Sequence, residues 1–135
     1  MKEDLVILLS LIDEKFKGSL FDSSVEDYCD KILKHATIVS IYKLGHIKAF
    51  IAYYDNNKES LIGYLSMLAV HPDYQDKGYG KQLMHMAIDA LRKLNFKHFD
   101  LEVDVSNKKA IALYSKFGFE LIRLASGKKY MRRNL

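Results

Sequence analysis

Apolar residues recur with two different periods along this chain, and these periods predict helices and strands in a definite order. Apolar spacing of three and four residues indicates helices, and runs rich in β-branched and aromatic residues indicate strands. The predicted elements are helix 3–16, a helix from 23, strands 37–44, 47–54 and 61–70, helix 79–94, strand 99–105, a short helix after 107, and strands 119–124 and 129–133. This order predicts an α/β (α+β) fold, with a mixed, mostly antiparallel sheet and about four flanking helices.

Two strands differ in their polar positions, and the difference predicts where they lie in the sheet. Strand 61–70 has almost no polar alternation, so both of its faces should be covered and it should be central. Strand 99–105 alternates strictly, with Phe99, Leu101, Val103 and Val105 on one face and Asp100, Glu102 and Asp104 on the other. The acidic face is either solvated or part of an open cleft.

Local signals mark the ends of the elements and the inward faces of the helices. Ser23-Ser24-Val25-Glu26 has capping-box spacing, Gly45-His46 and Ser126-Gly127 predict tight hairpins, and Gly118 ends the last helix. The expected inward residues are Leu5, Leu8, Leu9 and Ile12, then Val25, Tyr28, Cys29 and Ile32, then Leu83, Ala87, Ala90, Leu91 and Leu94, and finally Ala110, Ile111, Leu113 and Phe117. No repeat or linker divides the chain, so we expect one domain over residues 1–135.

Composition narrows the class of protein. The chain has 135 residues, of which 49% are hydrophobic and 28% charged, as in a globular domain with a real core. A net charge of +4 suits an anionic ligand but is weaker than expected for a dedicated nucleic-acid binder. The single cysteine, Cys29, excludes an internal disulfide and indicates a buried structural thiol in a reducing compartment.

The first apolar run argues against a membrane segment or a leader. Leu5–Ile12 has eight residues, which is too short to span a bilayer. Glu3 and Asp4 replace the basic start of a signal peptide, and no small-residue cleavage site follows. We therefore expect a cytoplasmic protein without a membrane partner.

The segment Leu61–Gln82 carries the clearest functional signal. An apolar strand meets Pro72, and the chain then turns through residues 75–80, with glycines at 78 and 80, into an amphipathic helix. Such a turn presents backbone N–H groups at the positive end of a helix, which is a seat for a phosphate or pyrophosphate. Glycine lets the backbone approach the anion.

Two common phosphate motifs do not fit this turn. A P-loop requires glycine where Gln75 stands and Ser or Thr where Gln82 stands. A Rossmann site requires a third glycine at the position of Leu83.

A second motif follows in the chain. Residues 107–119 read Asn-x-x-Ala-x-x-Leu-Tyr-x-x-x-Gly-Phe, which by itself is a capped helix with an aromatic residue in its last turn. Together the two motifs resemble the GNAT superfamily of N-acetyltransferases, where a Gln/Arg-x-x-Gly-x-Gly/Ala turn binds acetyl-CoA and the second segment carries a tyrosine near the CoA sulfur. The resemblance covers residues 37–133 well and the first 36 loosely. It implies a GNAT-like fold whose usual first strand is missing, since only Met1-Lys2 precede the first helix.

The resemblance implies a role for each matching residue. Backbone groups of Leu68, Ala69 and Val70 would pair with pantetheine as an added strand, and N–H groups near Leu68 would stabilise the oxyanion. The pyrophosphate would be held by the amides of Gln75, Asp76, Lys77, Gly78, Tyr79, Gly80 and Lys81. Asn107 would contact the pantetheine arm, and Tyr114 would protonate the departing thiolate.

The acidic strand supplies a candidate general base. Residues 101–107, which include Glu102, are similar to the Leu-Glu-Val-x-x-Ser-Asn stretch of ribosomal-protein alanine acetyltransferases, where that glutamate is the proposed base. His71 is an alternative base because the intrinsic pKa of histidine suits proton transfer near neutrality. The five histidines show no pair at metal-ligand spacing, so we expect no metal site.

The sequence therefore predicts an acetyl-CoA-dependent N-acetyltransferase that uses direct attack, since it shows no nucleophile–base pair. At pH 7 a lysine amine of pKa about 10.4 costs about 4.6 kcal/mol to deprotonate, whereas an α-amine of pKa about 7.7–8 costs about 1–1.4 kcal/mol. A low-pKa amine is the easier acceptor: a small metabolite, an amino sugar or a protein N-terminus. The alternative is a non-catalytic acyl-CoA-binding sensor or regulatory module. We expect no nucleic-acid partner, and either a monomer or a homodimer.

Overall fold

The computed structural model describes residues 1–15, 21 and 23–135, and its elements follow the predicted order. They are α1 (Lys2–Lys15), α2 (Val25–His35), β1 (Thr37–Lys43), β2 (His46–Tyr54), β3 (Ile62–Val70), a 3-10 turn (Pro72–Tyr74), α3 (Tyr79–Lys93), β4 (His98–Asp104), α4 (Lys108–Lys116), β5 (Glu120–Ala125) and β6 (Lys128–Asn134). Each predicted strand end agrees to within one residue. The predicted end of the first helix, at 16, lies outside the described residues. None of the described helices combines the length and the apolar character needed to cross a bilayer.

The strands form a six-stranded sheet in the order β1-β2-β3-β4-β6-β5. β3 therefore lies in the interior of the sheet, as its lack of polar positions predicts. β1 and β2 are antiparallel, as are β4 and β6 and also β5 and β6, whereas β3 and β4 are parallel. The prediction of a mixed, mostly antiparallel sheet with four flanking helices is confirmed.

The chain folds as two compact units, and the first consists of Met1–Tyr53 and Met67–Ala87. Its core lies where α1 and α2 meet the strands of this unit. The core residues are Leu5, Leu8, Leu9, Tyr28, Cys29, Ile32, Ile47, Phe50, Ala52 and Ala69. Burial raises the pKa of Cys29 to about 11, which keeps the thiol protonated at neutral pH and agrees with the predicted structural role.

The second unit consists of Tyr54–Ser66 and Ile88–Leu135. The apolar face of β4 is buried in it, and the ring of Phe99 lies 5.6 Å from that of Phe119. Gly63 on β3 permits close packing here, because an added Cβ would lie 2.9 Å from the side chain of Leu91 on α3.

Two predicted core positions are exposed, and the four predicted on α4, Ala110, Ile111, Leu113 and Phe117, are only partly buried. Leu94 is 45% exposed because α3 ends one residue earlier and the chain then reverses through Asn95, which has φ 62°. Val105 is 40% exposed because β4 ends at Asp104, so the strand alternation no longer applies to it.

Two turn positions differ from the prediction by one residue. The first hairpin turns at Leu44 and Gly45, with φ 55° and 79°, because His46 already belongs to β2. Positive φ at both central residues is the type I′ geometry that matches the strand twist. The cap of α2 is Ser24 and not Ser23, since the Ser24 side chain accepts a hydrogen bond from Asp27 N at 3.1 Å.

Candidate functional site

The chain leaves β3 through a turn that its own hydrogen bonds hold in place. His71 N donates to the Lys48 carbonyl at 2.7 Å, and His71 Nδ1 accepts from Asp73 N at 3.0 Å. Gln75 Nε2 donates to the Val70 carbonyl at 3.2 Å, which ties the turn back to the end of the strand. The first part of the segment between β3 and α3 is therefore tied to the ends of the strands.

The beginning of α3 presents backbone donors outward. Gln82 N donates to the Gly78 carbonyl at 3.0 Å and so closes the first helical turn. The amides before it, on Tyr79, Gly80 and Lys81, lie at the open and positive end of the helix. No acidic residue occurs in this first turn. This end of the first unit is chemically suited to an anion.

The two glycines of the turn differ in backbone conformation and in the space around them. Gly78 has φ 85°, a conformation that favours glycine, and an added Cβ would meet nothing within 4 Å. Gly80 lies outside the left-handed region, and an added Cβ would meet Leu68 Cδ2 and Val70 Cγ2 at 3.9 Å, which is ordinary contact. Neither backbone conformation nor packing within this unit requires glycine at position 80.

Three lysine ammonium groups lie over tyrosine rings near the turn. The ammonium nitrogens of Lys48 and Lys77 each lie 5.8 Å from the centre of the Tyr74 ring, and that of Lys43 lies 5.3 Å from the Tyr79 ring. The two rings are 6.4 Å apart. Cation–π attraction keeps these ammonium groups close, so the local potential favours an anion.

The last residues of β3 alternate between two environments. Ala69 is 4% exposed and belongs to the core of the first unit. Leu68 and Val70 point the other way, and their side chains are those nearest to Gly80. The strand thus anchors the turn through Ala69 and supports the start of α3 through its other face.

In the second unit, the parallel ladder between β3 and β4 is short. It ends at the pair Tyr64 and Asp100, although β4 continues to pair with β6 as far as Asp104. Among the described residues of this unit, no register pair between β3 and β4 follows Tyr64 and Asp100. Backbone groups beyond the end of a ladder are of the kind that an extended ligand can pair with.

The carboxylates on the polar face of β4 differ in their hydrogen-bond partners. The Arg132 guanidinium donates to both oxygens of Asp100, at 2.8 and 2.9 Å. Asp104 accepts from the hydroxyl and the backbone N of Ser106 at 2.6 and 2.9 Å, and these bonds lower the pKa of its carboxyl. Glu102 lies between the two on the same face, and its side chain is 36% exposed.

Two tyrosines lie near Glu102. Tyr130 on β6 is its direct partner in the antiparallel register, and Tyr64 on β3 is the partner of Asp100. Burial raises the pKa of Tyr64 to about 12, and the charges of Glu102 and Asp100 add to the shift. The contact of Glu102 with a cation is long, because Lys128 Nζ lies 3.8 Å from its Oε1.

The helix α4 begins and ends with side-chain caps. Asn107 Oδ1 accepts from Ala110 N at 3.2 Å, so the predicted N-cap is confirmed. At the other end Arg133 Nε donates to the Phe117 carbonyl at 2.7 Å, and Gly118 ends the helix with φ 85°. A cation at a helix C-terminus is electrostatically favourable. A helix of nine residues depends on such caps, because short helices are marginal alone.

Tyr114 lies on α4 in a half-buried position. Its ring is 6.0 Å from that of Phe119. Burial raises the pKa of Tyr114 to about 12, so the phenol is protonated at neutral pH and can donate a hydrogen bond.

The predicted site residues divide between the two units. The first unit contains Leu68, Ala69, Val70 and the turn 75–81, which are neighbours there. The second unit contains Glu102, Asn107 and Tyr114. Two further candidates, Tyr64 and Tyr130, are not singled out by any motif. The available signal is the phenol of Tyr64 in an otherwise apolar strand.

The alternative base His71 is poorly suited to that role. Because its Nδ1 accepts from Asp73 N, the neutral ring carries its proton on Nε2 and has no further basic nitrogen to offer. Within the described part of the chain, no three His, Cys, Asp or Glu side chains lie close enough together to hold a metal ion.

Comparisons with known proteins agree on one family. A model of the Acetyltransferase (GNAT) family matches residues 5–119. The N-alpha-acetyltransferase MAK3 of Arabidopsis thaliana is 25% identical over 115 residues, which are 85% of this chain and 60% of that protein. The [ribosomal protein bS18]-alanine N-acetyltransferase of Escherichia coli K12 is 48% identical over 52 residues, or 38% of this chain and 35% of that protein. The matches thus span 60% and 35% of the lengths of these two relatives.

A solved structure has the same fold over nearly the whole chain. The PaiA N-acetyltransferase from Thermoplasma acidophilum, crystallised in complex with coenzyme A, superimposes with a TM-score of 0.81 and 17% identity. The superposition covers 99% of this chain and 92% of that one. At this identity the likeness concerns the fold alone.

Proposed function

Because this chain belongs to the Acetyltransferase (GNAT) family, we propose that it is an acetyl-CoA-dependent N-acetyltransferase. It transfers the acetyl group to a primary amine by direct attack in a ternary complex, as one catalytic domain over residues 1–135. The protein works in the cytoplasm, a reducing compartment that suits its buried, protonated Cys29.

The observation that carries this proposal is the glycine at position 80. A Cβ at Gly80 would make only ordinary contacts with the protein, and the amide of Gly80 lies at the open end of α3. A diphosphate seated on the amides of residues 75–81 explains both facts, because a side chain would keep the anion away from the backbone. The lysines on Tyr74 and Tyr79 add the positive charge that such a ligand needs.

The remaining cofactor contacts follow from the strands and from α4. The pantetheine arm pairs with the backbone of Leu68, Ala69 and Val70 as an added strand. N–H groups near Leu68 donate to the oxyanion of the tetrahedral intermediate. Asn107 contacts the arm as well.

The acceptor we propose is a protein N-terminus, with small amines and amino sugars as the other members of the class. Both curated relatives named above act on protein α-amines by their names. The proton cost supports the same choice, because an α-amine near pKa 8 costs about 1.4 kcal/mol to deprotonate at pH 7 and a lysine about 4.6 kcal/mol. Glu102, whose side chain is 36% exposed, is the base that takes this proton.

The protons balance as follows. The ammonium gives one proton to Glu102, which passes it to solvent, and the neutral nitrogen attacks the thioester carbonyl. Collapse of the intermediate breaks the C–S bond, and the second amine proton leaves with the thiolate, directly or through Tyr114. The Tyr114 pKa of about 12 is far above the value of about 8.5 for a thiol, so the phenol acts mainly as a hydrogen-bond donor to the developing thiolate. The products are an amide, coenzyme A thiol and one released proton.

Thiol release from acetyl-CoA tests the proposal. Wild-type protein is incubated with a panel of peptides with free N-termini, amino sugars and polyamines, with a Glu102→Gln variant beside it. We expect release with at least one amine, and a loss in the variant that is largest below the pKa of that amine. Saturable acetyl-CoA binding without turnover on any amine would favour the non-catalytic alternative, and an equal loss at every pH would remove Glu102 as the base.

A further inference from the structure

A tyrosine of the central strand stands beside the candidate base. Tyr64 forms the last rung of the β3–β4 ladder with Asp100, and Glu102 is the next residue of β4 on the same face. On the far side of Glu102, Tyr130 is its direct partner on β6. Glu102 therefore has a phenol on the neighbouring strand to each side, next to the last register pair of the β3–β4 ladder.

We propose that the hydroxyl of Tyr64 acts together with Glu102 on the acceptor amine. The phenol oxygen accepts a hydrogen bond from the incoming ammonium and aligns it, while the Glu102 carboxylate accepts another and removes one proton. The inference rests on the proposed function and adds a catalytic residue that the motifs do not contain.

The neighbours of Tyr64 leave its hydroxyl suited to this role. The Asp100 carboxylate is occupied by both donors of Arg132, at 2.8 and 2.9 Å. The Glu102 carboxylate lies 3.8 Å from Lys128 Nζ, a longer contact than either bond between Asp100 and Arg132. An ammonium carries three donors, and a carboxylate with a phenol oxygen offers acceptors for two of them.

The charged and titratable groups around Tyr64 keep its phenol neutral. They come from each strand of this region: Tyr54 on β2, Asp100 and Glu102 on β4, and Tyr130 on β6, with Arg132 on Asp100 and Lys128 near Glu102. Burial and these acidic groups raise the pKa of Tyr64 to about 12. Its hydroxyl therefore stays protonated at the pH values at which the substrate amine loses its proton.

A cation already lies on one of the two phenol rings. The guanidinium carbon of Arg123 is 4.1 Å from the centre of the Tyr130 ring. Attraction of this kind favours cationic groups over anionic ones beside an aromatic face. The face that holds Glu102 thus combines a carboxylate with two phenol rings, one of which already carries a guanidinium.

The substitution Tyr64→Phe tests this proposal, because it removes only the phenol oxygen. Tyr64→Phe keeps the ring, and Tyr54→Phe is the matched control, because burial also raises the pKa of that phenol. Steady-state kinetics use acetyl-CoA and a short peptide with a free N-terminal alanine. We expect Tyr64→Phe to lower kcat/KM for the peptide about 10- to 100-fold, the equivalent of one hydrogen bond to a charged group. The acetyl-CoA KM, the melting temperature and the Tyr54→Phe kinetics should stay at wild-type values.

A double-mutant cycle with Glu102→Gln tests whether the two residues act on the same amine. We expect the double variant to be no more than a few-fold worse than Glu102→Gln alone, because each residue needs the other to deliver a neutral amine. Fully additive losses, or wild-type kinetics of Tyr64→Phe in an active enzyme, would overturn the inference and leave the acetyltransferase proposal intact.

Calorimetry separates this inference from the proposed reaction. The same peptide and its N-acetylated form are titrated into protein saturated with coenzyme A. Tyr64→Phe should weaken binding of the free amine about tenfold or more and leave binding of the acetylated form unchanged. If the wild-type protein binds the free amine but transfers no acetyl group, the proposed acetyl transfer is wrong and the proposed amine-binding role of Tyr64 is retained. If Tyr64→Phe binds both peptides as the wild type does, the amine site is wrong.

Discussion

Replacing Gly80 by alanine separates cofactor binding from folding. The backbone at this position is outside the left-handed region, and the new Cβ would lie 3.9 Å from Leu68 Cδ2 and from Val70 Cγ2. Alanine is a better helix former than glycine by up to about 1 kcal/mol per residue. We therefore expect the free energy of unfolding of Gly80→Ala to equal or exceed that of the wild type.

The same substitution should weaken coenzyme A binding strongly. A methyl group at the start of α3 would occupy the space that we propose for the diphosphate, beside the amides of residues 79–81. Loss of one hydrogen bond to a charged phosphate oxygen costs about 1.5–3 kcal/mol, which corresponds to about a 10- to 150-fold rise in Kd. The variant should thus be as stable as the wild type and bind the cofactor far more weakly.

Two measurements on the same samples check this pair of expectations. Calorimetric titration with coenzyme A gives Kd, and thermal unfolding without ligand gives stability. Gly127→Ala is the matched control, because Gly127 has φ 76° and an added Cβ would meet nothing within 4 Å. It should be destabilised by about 1–2 kcal/mol through backbone strain and bind coenzyme A normally. If Gly80→Ala binds coenzyme A within twofold of the wild type, the diphosphate does not sit on this turn.

Three further outcomes follow from the second unit. Tyr114→Phe should lower kcat about 100-fold at saturating acetyl-CoA while the Kd of coenzyme A stays constant, and an unchanged kcat would exclude Tyr114 from the reaction. Because burial raises the pKa of Tyr114 to about 12 from an ordinary value of 10, this group contributes stability below pH 10 that is lost as the pH rises through 12. Chemical denaturation between pH 9 and 12 should therefore show a smaller alkaline loss in Tyr114→Phe than in the wild type, and equal losses would contradict this pKa. Arg133→Ala should lower the free energy of unfolding by about 1–2 kcal/mol, because the Phe117 carbonyl loses its charged donor at the end of α4. Chemical denaturation of this variant, with Lys129→Ala as the control, measures the loss. An unchanged stability would show that the hydrogen bond from Arg133 does not stabilise the protein.

Signals that depend on a residue and its nearest neighbours in the chain were predicted well. The Ser126-Gly127 turn, with φ 52° and 76°, follows from the need of a two-residue hairpin for positive φ. Asn107 caps α4 and Gly118 ends it, because both act on backbone groups within a few residues. Errors of one residue, as at Ser24 and Leu44, arise where two neighbouring residues can serve the same turn or cap.

The sequence alone determined the order of the elements and the central position of β3, because periodicity is a property of a local stretch. The glycine spacing at 75–81 likewise supplied the prediction of a phosphate-binding turn. Only the tertiary structure decided which acidic side chain of β4 remains available. Asp100 is held by Arg132, 32 residues away along the chain, and Glu102 comes to lie beside Tyr64 and Tyr130 through the registers of two other strands. Register across a sheet is set by packing of the whole face and not by neighbours in sequence, so no local pattern could predict it.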